Sequence, residues 1–327
     1  MDINEIARLA GVSRATVSRF LNDGYVSKEK RRLIAKVIRE TGYVPSQSAQ
    51  QLRTGKTHLV GVIIPKINSY SVARMVQGIT ESLASAGYQV LLANTDNNEA
   101  TEIDYLRIFS ARNRVDGIIL IGTILTDEHF TAIDSVGVPV VVLGQEVQGR
   151  SCVFHDDFRA MRDLTRSIIA TAKVPAYIGV TERDVAAGEK RHRGFLAACE
   201  EAGIEVRPEA QVAGDFSMDS GYLLCEQLLD TVPDVDTVVC ATDDIAVGAL
   251  ACLREYNRSV HDEVQVAGIG DSMLSRVISP SLTTVRLAYG ASGSEAAMML
   301  LAAMVEEDTL PRELRMGYEV FARMSTR

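Results

Sequence analysis

The sequence predicts an α/β protein: a small helical head, a linker, and a body of two doubly wound α/β subdomains. Three observations predict it. Apolar runs of strand length recur through the body, from LVGVIIP (59–65) to VQVAGIGD (264–271). Helical patterns such as VARMVQGITESLASAG (72–87) and GYLLCEQLLD (221–230) lie between them; continuous apolar strands alternating with helices mean parallel sheets covered on both faces. Residues 1–56 carry a balance of +6 and the rest of the chain −15, so the net charge of −9 averages a basic module and an acidic body.

The head resolves into three helices. Ile3, Ile6, Ala7 and Ala10 form an i, i+3, i+4, i+7 stripe that Gly11 ends. Ser13 caps a second helix that buries Val17, Phe20 and Leu21 and stops at the turn Asn22-Asp23-Gly24. A third runs from Lys28 to Thr41 with Ile34, Val37 and Ile38 inward, Ser27 as its cap, and Gly42 and Pro45 closing it. Helix, tight turn and helix make a helix-turn-helix, whose second helix enters the DNA major groove. GVSRATVSRFLN (11–22) contains no acid, so nothing on this helix repels phosphate. Arg14 and Arg19 suit guanine edges and Ala15 a thymine methyl. Ser13, Thr16 and Ser18 suit phosphate oxygens.

SQSAQQLRTGK (46–56) has Leu52 as its single large apolar residue and reads as a linker or a conditional helix. The strands LVGVIIP, YQVLLAN (88–94), VDGIILIG (115–122) and VPVVVLG (138–144) form one set; AYIGVT (176–181), DTVVCAT (236–242) and VQVAGIGD form another. In such sheets ligands bind at the carboxyl ends of the strands, and a cleft between two of them is a natural small-molecule site. Asn68, Ser69, Tyr70 and Ser71 follow the first strand and can bond sugar hydroxyls. Thr242 and Asp243 also stand at a strand end, where Asp243 has a second reading as a helix cap.

Several functions are excluded. The five histidines are scattered without metal-ligand spacing, and GIGDS (268–272) lacks the order of a nucleophile elbow, so neither a metal, a cofactor nor catalysis is expected. Five cysteines without a CxxC read as free buried thiols in a reducing cytoplasm. No apolar run reaches bilayer length, and MDINEIARLAGVS is no secretory signal, so no membrane partner is expected.

INEIARLAGVSRATVSRFLN followed by VSKEKRRLIAKVIRETGYVPSQSAQQLRTGKT resembles the headpiece and hinge of the LacI/GalR family of transcriptional regulators, and the body resembles that family's periplasmic-binding-protein-like sensor. The turn LNDGYVS is one residue tighter than in many members. The resemblance implies a headpiece at 1–45, a hinge at 46–57, and an effector and dimerisation domain at 58–327. That domain would comprise an N-subdomain (58–157 plus 289–315) and a C-subdomain (158–288 plus 316–327). It adds Asn22 to the DNA-binding set, together with Ser46, Ala49 and Leu52 of a hinge that folds on operator DNA, Leu52 wedging between base steps. It assigns Arg191 to the effector, Asp184 as a neighbouring candidate, Phe216 as a stacking ring and Tyr289 as a cover at the crossover between subdomains.

Two family positions depart. Gly144 then Gln145, and Gly270 then Asp271, stand where several members carry ligand-binding aspartates. GEKRHRGF is similar to repressors of sucrose and trehalose operons, some of which sense phosphorylated sugars; Arg183, Lys190 and Arg191 would suit a phosphate. The sequence ends at GYEVFARMSTR without a leucine heptad tail, so a homodimer is expected. The function implied is a cytoplasmic repressor of a carbohydrate operon, released from double-stranded operator DNA by a sugar or sugar phosphate. A co-repressed regulator, or a cytoplasmic sugar-binding receptor, would share most of these features.

Overall fold

A computed structural model describes residues 1–22, 24–43, 56–111, 114–305 and 310–327. The chain divides into two compact units, Met1–His58 and Leu59–Arg327.

In the first unit, Asp2 caps α1 (Ile3–Leu9) by accepting the Glu5 N–H at 2.9 Å. Gly11, at φ +63°, turns the chain into α2 (Arg14–Leu21); that left-handed conformation is the one glycine adopts without steric cost. The Ser13 hydroxyl caps α2 at the Thr16 N–H, 3.2 Å away. α3 (Lys28–Thr41) ends at Gly42, again left-handed. Ser27 precedes α3 but makes no capping hydrogen bond, contrary to the sequence reading; its hydroxyl is exposed to solvent. Ile6, Ala7, Ala10, Val17 and Ile34 are buried together, with Phe20, Leu21, Val37 and Ile38 packed around them.

The second unit holds two six-stranded sheets. The first comprises β1 (Leu59–Ile64), β2 (Gln89–Asn94), β3 (Gly117–Ile121), β4 (Val140–Leu143), β5 (Cys152–His155) and, late in the chain, β11 (Glu313–Met316). Its order is β11-β5-β4-β3-β1-β2 and every pairing is parallel. The second comprises β6 (Pro175–Val180), β7 (Gln211–Gly214), β8 (Thr237–Cys240), β9 (Gln265–Ile269), β10 (Thr283–Leu287) and β12 (Tyr318–Phe321). Its order is β12-β10-β9-β8-β6-β7, with only β12 antiparallel. Each sheet with its helices forms one lobe.

Strand periodicity explains why the long runs are apolar throughout. Val60, Val62 and Ile64 face one core with the helices Tyr70–Ser85 and Tyr289–Ala303, while Ile63 faces another with Ala93, Ile103 and Leu106. Both faces of β1 are covered from Val60 to Ile64, which is why that run is apolar.

In each sheet the strand order reverses at one place. β1 lies between β2 and β3, and β6 between β7 and β8. The loops after neighbouring strands diverge there and leave a crevice at the carboxyl ends. In the second lobe the helices Met218–Thr231 and Asp243–Glu255 approach closely beside that crevice. A Cβ on Gly248 would lie 2.0 Å from the Met218 carbonyl oxygen, and one on Gly221 would lie 2.2 Å from that of Ile245. The two glycines bring both helix starts to the same edge of the sheet.

Candidate functional site

Two surfaces carry functional chemistry, one in each unit. On α2, Ser13, Arg14, Ala15, Arg19 and Asn22 are exposed, while Thr16 and Ser18 are half-buried. Val17 on the opposite side is fully buried, which fixes the direction of this face. Neither Arg14 nor Arg19 has an ion-pair partner among the described residues, and the first turn of α2 contains no acid. The Ser13 hydroxyl is already engaged with Thr16, and Asn22 donates its amide N–H to the Ser18 carbonyl. What remains open is two free guanidiniums, a methyl and the positive end of a helix, a combination suited to phosphate and base edges. Ser46, Ala49 and Leu52 lie outside the described residues.

In the second unit a cavity of about 400 Å³ lies between the two lobes, within the range of small-molecule sites, roughly 300–1,000 Å³. Asn68, Tyr70, Ser71, Asp184, Arg191, Phe216, Thr242, Asp243 and Tyr289 all line it. They arrive from loops after β1, β6 and β8, from β7's connection to the following helix, and from the crossover helix Tyr289–Ala303.

Arg191 is the most constrained. It is buried, its Nε donates to Asp157 Oδ1 at 2.8 Å, and its terminal nitrogens reach the Ala241 carbonyl at 2.6 Å and Asp157 at 2.7 Å. Burial opposes its charge most strongly, but the Asp157 carboxylate together with the Tyr289 and Tyr177 phenols outweighs it, and its pKa is raised. Asp184 begins a π-helical turn, Val185–Lys190, that leads into the helix Arg191–Glu201. Its carboxylate accepts the Ala187 N–H at 3.0 Å and the Gln145 amide at 2.8 Å, yet burial still raises its pKa.

Asp243 is buried and accepts from the Ser272 N–H at 2.7 Å and from the Thr284 hydroxyl. Those bonds tie the ends of β9 and β10 to the helix start, so both its oxygens serve the scaffold while its carboxyl borders the cavity. The cap of that helix is Thr242, accepting from Ile245 N–H at 3.3 Å, so the cap reading of Asp243 gives way to this tie. Burial pushes the Tyr289 phenol up to about 12. Phe216 packs against the second lobe's core while bordering the cavity.

Comparison with known proteins decides the lineage. Residues 2–46 match the family of bacterial regulatory proteins, lacI family, and residues 57–324 match periplasmic binding proteins and the sugar binding domain of the LacI family. The chain belongs to the LacI family. The sucrose operon repressor of Staphylococcus xylosus is 32% identical, over 97% of this chain and 98% of its own. The solved complex of the transcriptional regulator CelR with cellobiose is 29% identical, has a TM-score of 0.77 and covers 99% of both chains. A lac repressor dimer bound to operator and the anti-inducer ONPF shares the fold, with a TM-score of 0.91 at 22% identity over 100% of this chain and 99% of that one.

Within this LacI-family cavity, sequence reasoning missed His155, Asp157, Asp219 and Asp244, and it treated Gln145 only as a departure from the family pattern. All five line the cavity. Gln145 bridges the lobes: its Nε2 donates to Asp184 Oδ1 and to the Thr123 carbonyl, both at 2.8 Å, and its Oε1 accepts the Ala186 N–H at 3.2 Å. His155 and Asp157 follow the short run CVF, a signal for a buried strand that was available but weak.

The cationic trio expected for phosphate is not brought together. Arg183 is exposed and pairs with Glu99 at 2.8 Å, Lys190 pairs with Glu146, and neither lines the cavity. Both are drawn off by carboxylates of the first lobe, and of the three only Arg191 lines the cavity, paired with Asp157. Among the described residues no helix is long and apolar enough to cross a membrane.

Proposed function

We propose that this chain is a sequence-specific repressor of a carbohydrate-utilisation operon, acting in the cytoplasm as a dimer that a small sugar releases from its operator. The observation that carries the reading is the pairing, in one LacI-family chain, of an acid-free exposed α2 with a cavity between two lobes. Arg14, Ala15 and Arg19 read bases, while Ser13, Thr16, Ser18 and Asn22 border the phosphates. The hinge at 46–57, with Ser46, Ala49 and Leu52, folds against the minor groove, where a leucine wedge unstacks a base step and bends the duplex. Sugar operons and cellobiose in the names of relatives support carbohydrate as the effector class.

The control step is a shift between lobe arrangements. The lobes are clasped by Gln145 on Asp184 and Ala186, Arg183 on Glu99 and Lys190 on Glu146. A sugar seated among Asn68, Tyr70, Phe216 and Arg191 competes with and reorients these contacts. The lobes then settle in a second arrangement that opposes hinge folding. Ligand must favour the DNA-free state for this to work, and by linkage DNA must weaken ligand binding by the same factor. The cavity's work is binding rather than catalysis: Arg191, Asp157, Asp184 and Asp243 hold one another or the scaffold, and none is poised against a nucleophile.

Fluorescence anisotropy of the full-length protein on its own upstream DNA, with and without disaccharides, tests the reading. Sequence-specific binding that a sugar weakens supports it. A sugar that tightens binding reverses the sign to co-repression, and an absence of specific binding overturns the assignment.

A further inference from the structure

The charge of the cavity distinguishes between two kinds of effector, resting on the reading that it binds a sugar. Five carboxylates border it (Asp157, Asp184, Asp219, Asp243 and Asp244) against the cations Lys66 and Arg191. Arg191 is neutralised by Asp157 and further occupied by the Ala241 carbonyl. Two of the helix starts at the cavity are filled by the protein's own acids. Asp219 stands in the first turn of Met218–Thr231, and Asp243 and Asp244 in that of Asp243–Glu255. Burial raises the pKa of Asp184, Asp243 and Asp244 because dry surroundings oppose a charge, and the same surroundings oppose a charged ligand.

A second observation, independent of the acids, points to what does bind. His155 is 4% exposed, lines the cavity, and its Nε2 has no hydrogen-bond partner. Its ring is held edge-on to Tyr289, centroids 5.2 Å apart. A buried imidazole nitrogen left open costs free energy unless a ligand group meets it. A hydroxyl meets it well, since it both donates and accepts, and the carboxyl oxygens of Asp219 and Asp244 offer acceptors to hydroxyl donors.

We infer that the cavity takes an uncharged saccharide and rejects its phosphate ester, with His155, Asp219 and Asp244 meeting the sugar hydroxyls. A phosphate brings between one and two negative charges to a wall that already carries an excess of them. The start of Tyr70–Ser85 is acid-free and lies next to Lys66, so an ester that did bind would be held there.

The test is titration calorimetry on the full-length protein with sucrose, cellobiose and trehalose and the 6-phosphate of each. One neutral sugar should bind, and its ester should bind about a hundredfold more weakly. That sugar should bind His155→Phe, which keeps the ring and removes the nitrogen, about tenfold more weakly. Asp244→Asn should narrow the gap between sugar and ester. Thermal unfolding of each variant separates misfolding from lost contacts, and the wild-type comparison stands without them. An ester that binds as tightly as its sugar, with the binding lost in Lys66→Ala, overturns this inference and leaves the sugar-regulated repressor intact. Full affinity in a folded His155→Phe removes His155 from the site. Failure of all six ligands to bind overturns both readings together.

Discussion

Gln145 of the first lobe holds Asp184 of the second: its Nε2 lies 2.8 Å from the Asp184 Oδ1, and its Oε1 receives the Ala186 N–H. The bond joins the end of β4 to the loop after β6 across the crevice, with both residues buried. Gln145 thus serves as a strap between the lobes.

Gln145→Ala would leave Asp184 with one fewer donor in a site where burial already raises its pKa. Loss of the strap should lower stability by about 1–3 kcal/mol and favour a more open body. Thermal unfolding and small-angle scattering of the ligand-free protein check this. An unchanged unfolding midpoint and radius of gyration would show that the strap carries no load.

Arg191→Ala removes the ion-pair partner of the buried Asp157 carboxylate. Breaking a buried ion pair on one side costs about 3–5 kcal/mol, so the body should be strongly destabilised, and the response to effector should vanish in the anisotropy assay. Arg191→Lys should recover much of the stability but not the response, because one ammonium cannot reproduce the forked contacts to Asp157 and the Ala241 carbonyl. A Lys variant with full response would contradict this role.

The buried imidazole of His155 makes stability depend on pH. Burial holds its pKa down to about 4, against 6.5 when unfolded. Between those values the unfolded chain takes up a proton that the folded chain does not, so stability falls as pH drops from 6.5 to about 4. The loss should total about 3 kcal/mol from this group. Asp184, Asp243 and Asp244, with raised pKa values, act in the opposite sense, losing stability as pH rises. The readout is therefore the difference between wild type and His155→Phe in denaturant unfolding from pH 4 to pH 7. That difference should vary with pH in the stated direction, and a flat one would refute the neutral, buried imidazole.

Leu52→Ala should weaken specific operator binding while sparing most nonspecific binding, since a wedge contributes only where the duplex bends around it. A salt-matched titration on operator and scrambled DNA checks this, because phosphate contacts make both affinities fall steeply with salt. Equal losses on the two DNAs would remove the wedge.

Periodicity made some elements legible and hid others. The head helices were readable because short amphipathic stripes were bracketed by Gly11, Ser13 and Gly42, local signals that act within one turn. Long strands buried on both faces, such as β1, β3 and β9, announced themselves by unbroken apolar runs. β7, β11 and β12 did not. They lie at sheet edges, have four residues each, and are partly or fully exposed, so their pattern is too short and too polar to separate from a loop. β5 is fully buried but only four residues long, and β10 carries an exposed Arg286 and two threonines.

By itself the sequence determined the acid-free face of α2, the polar residues that follow each long strand, and hence the edge of each sheet where a ligand would meet them. Those are consequences of local period and chain direction, which neighbouring residues dictate. Only the tertiary structure decided the partners. Arg191 meets Asp157 and Gln145 meets Asp184, residues 34 and 39 positions apart, while Arg183 and Lys190 are claimed by Glu99 and Glu146. Charges at long range in sequence find whichever counter-charge the packing of two lobes brings near, and no local pattern encodes that choice.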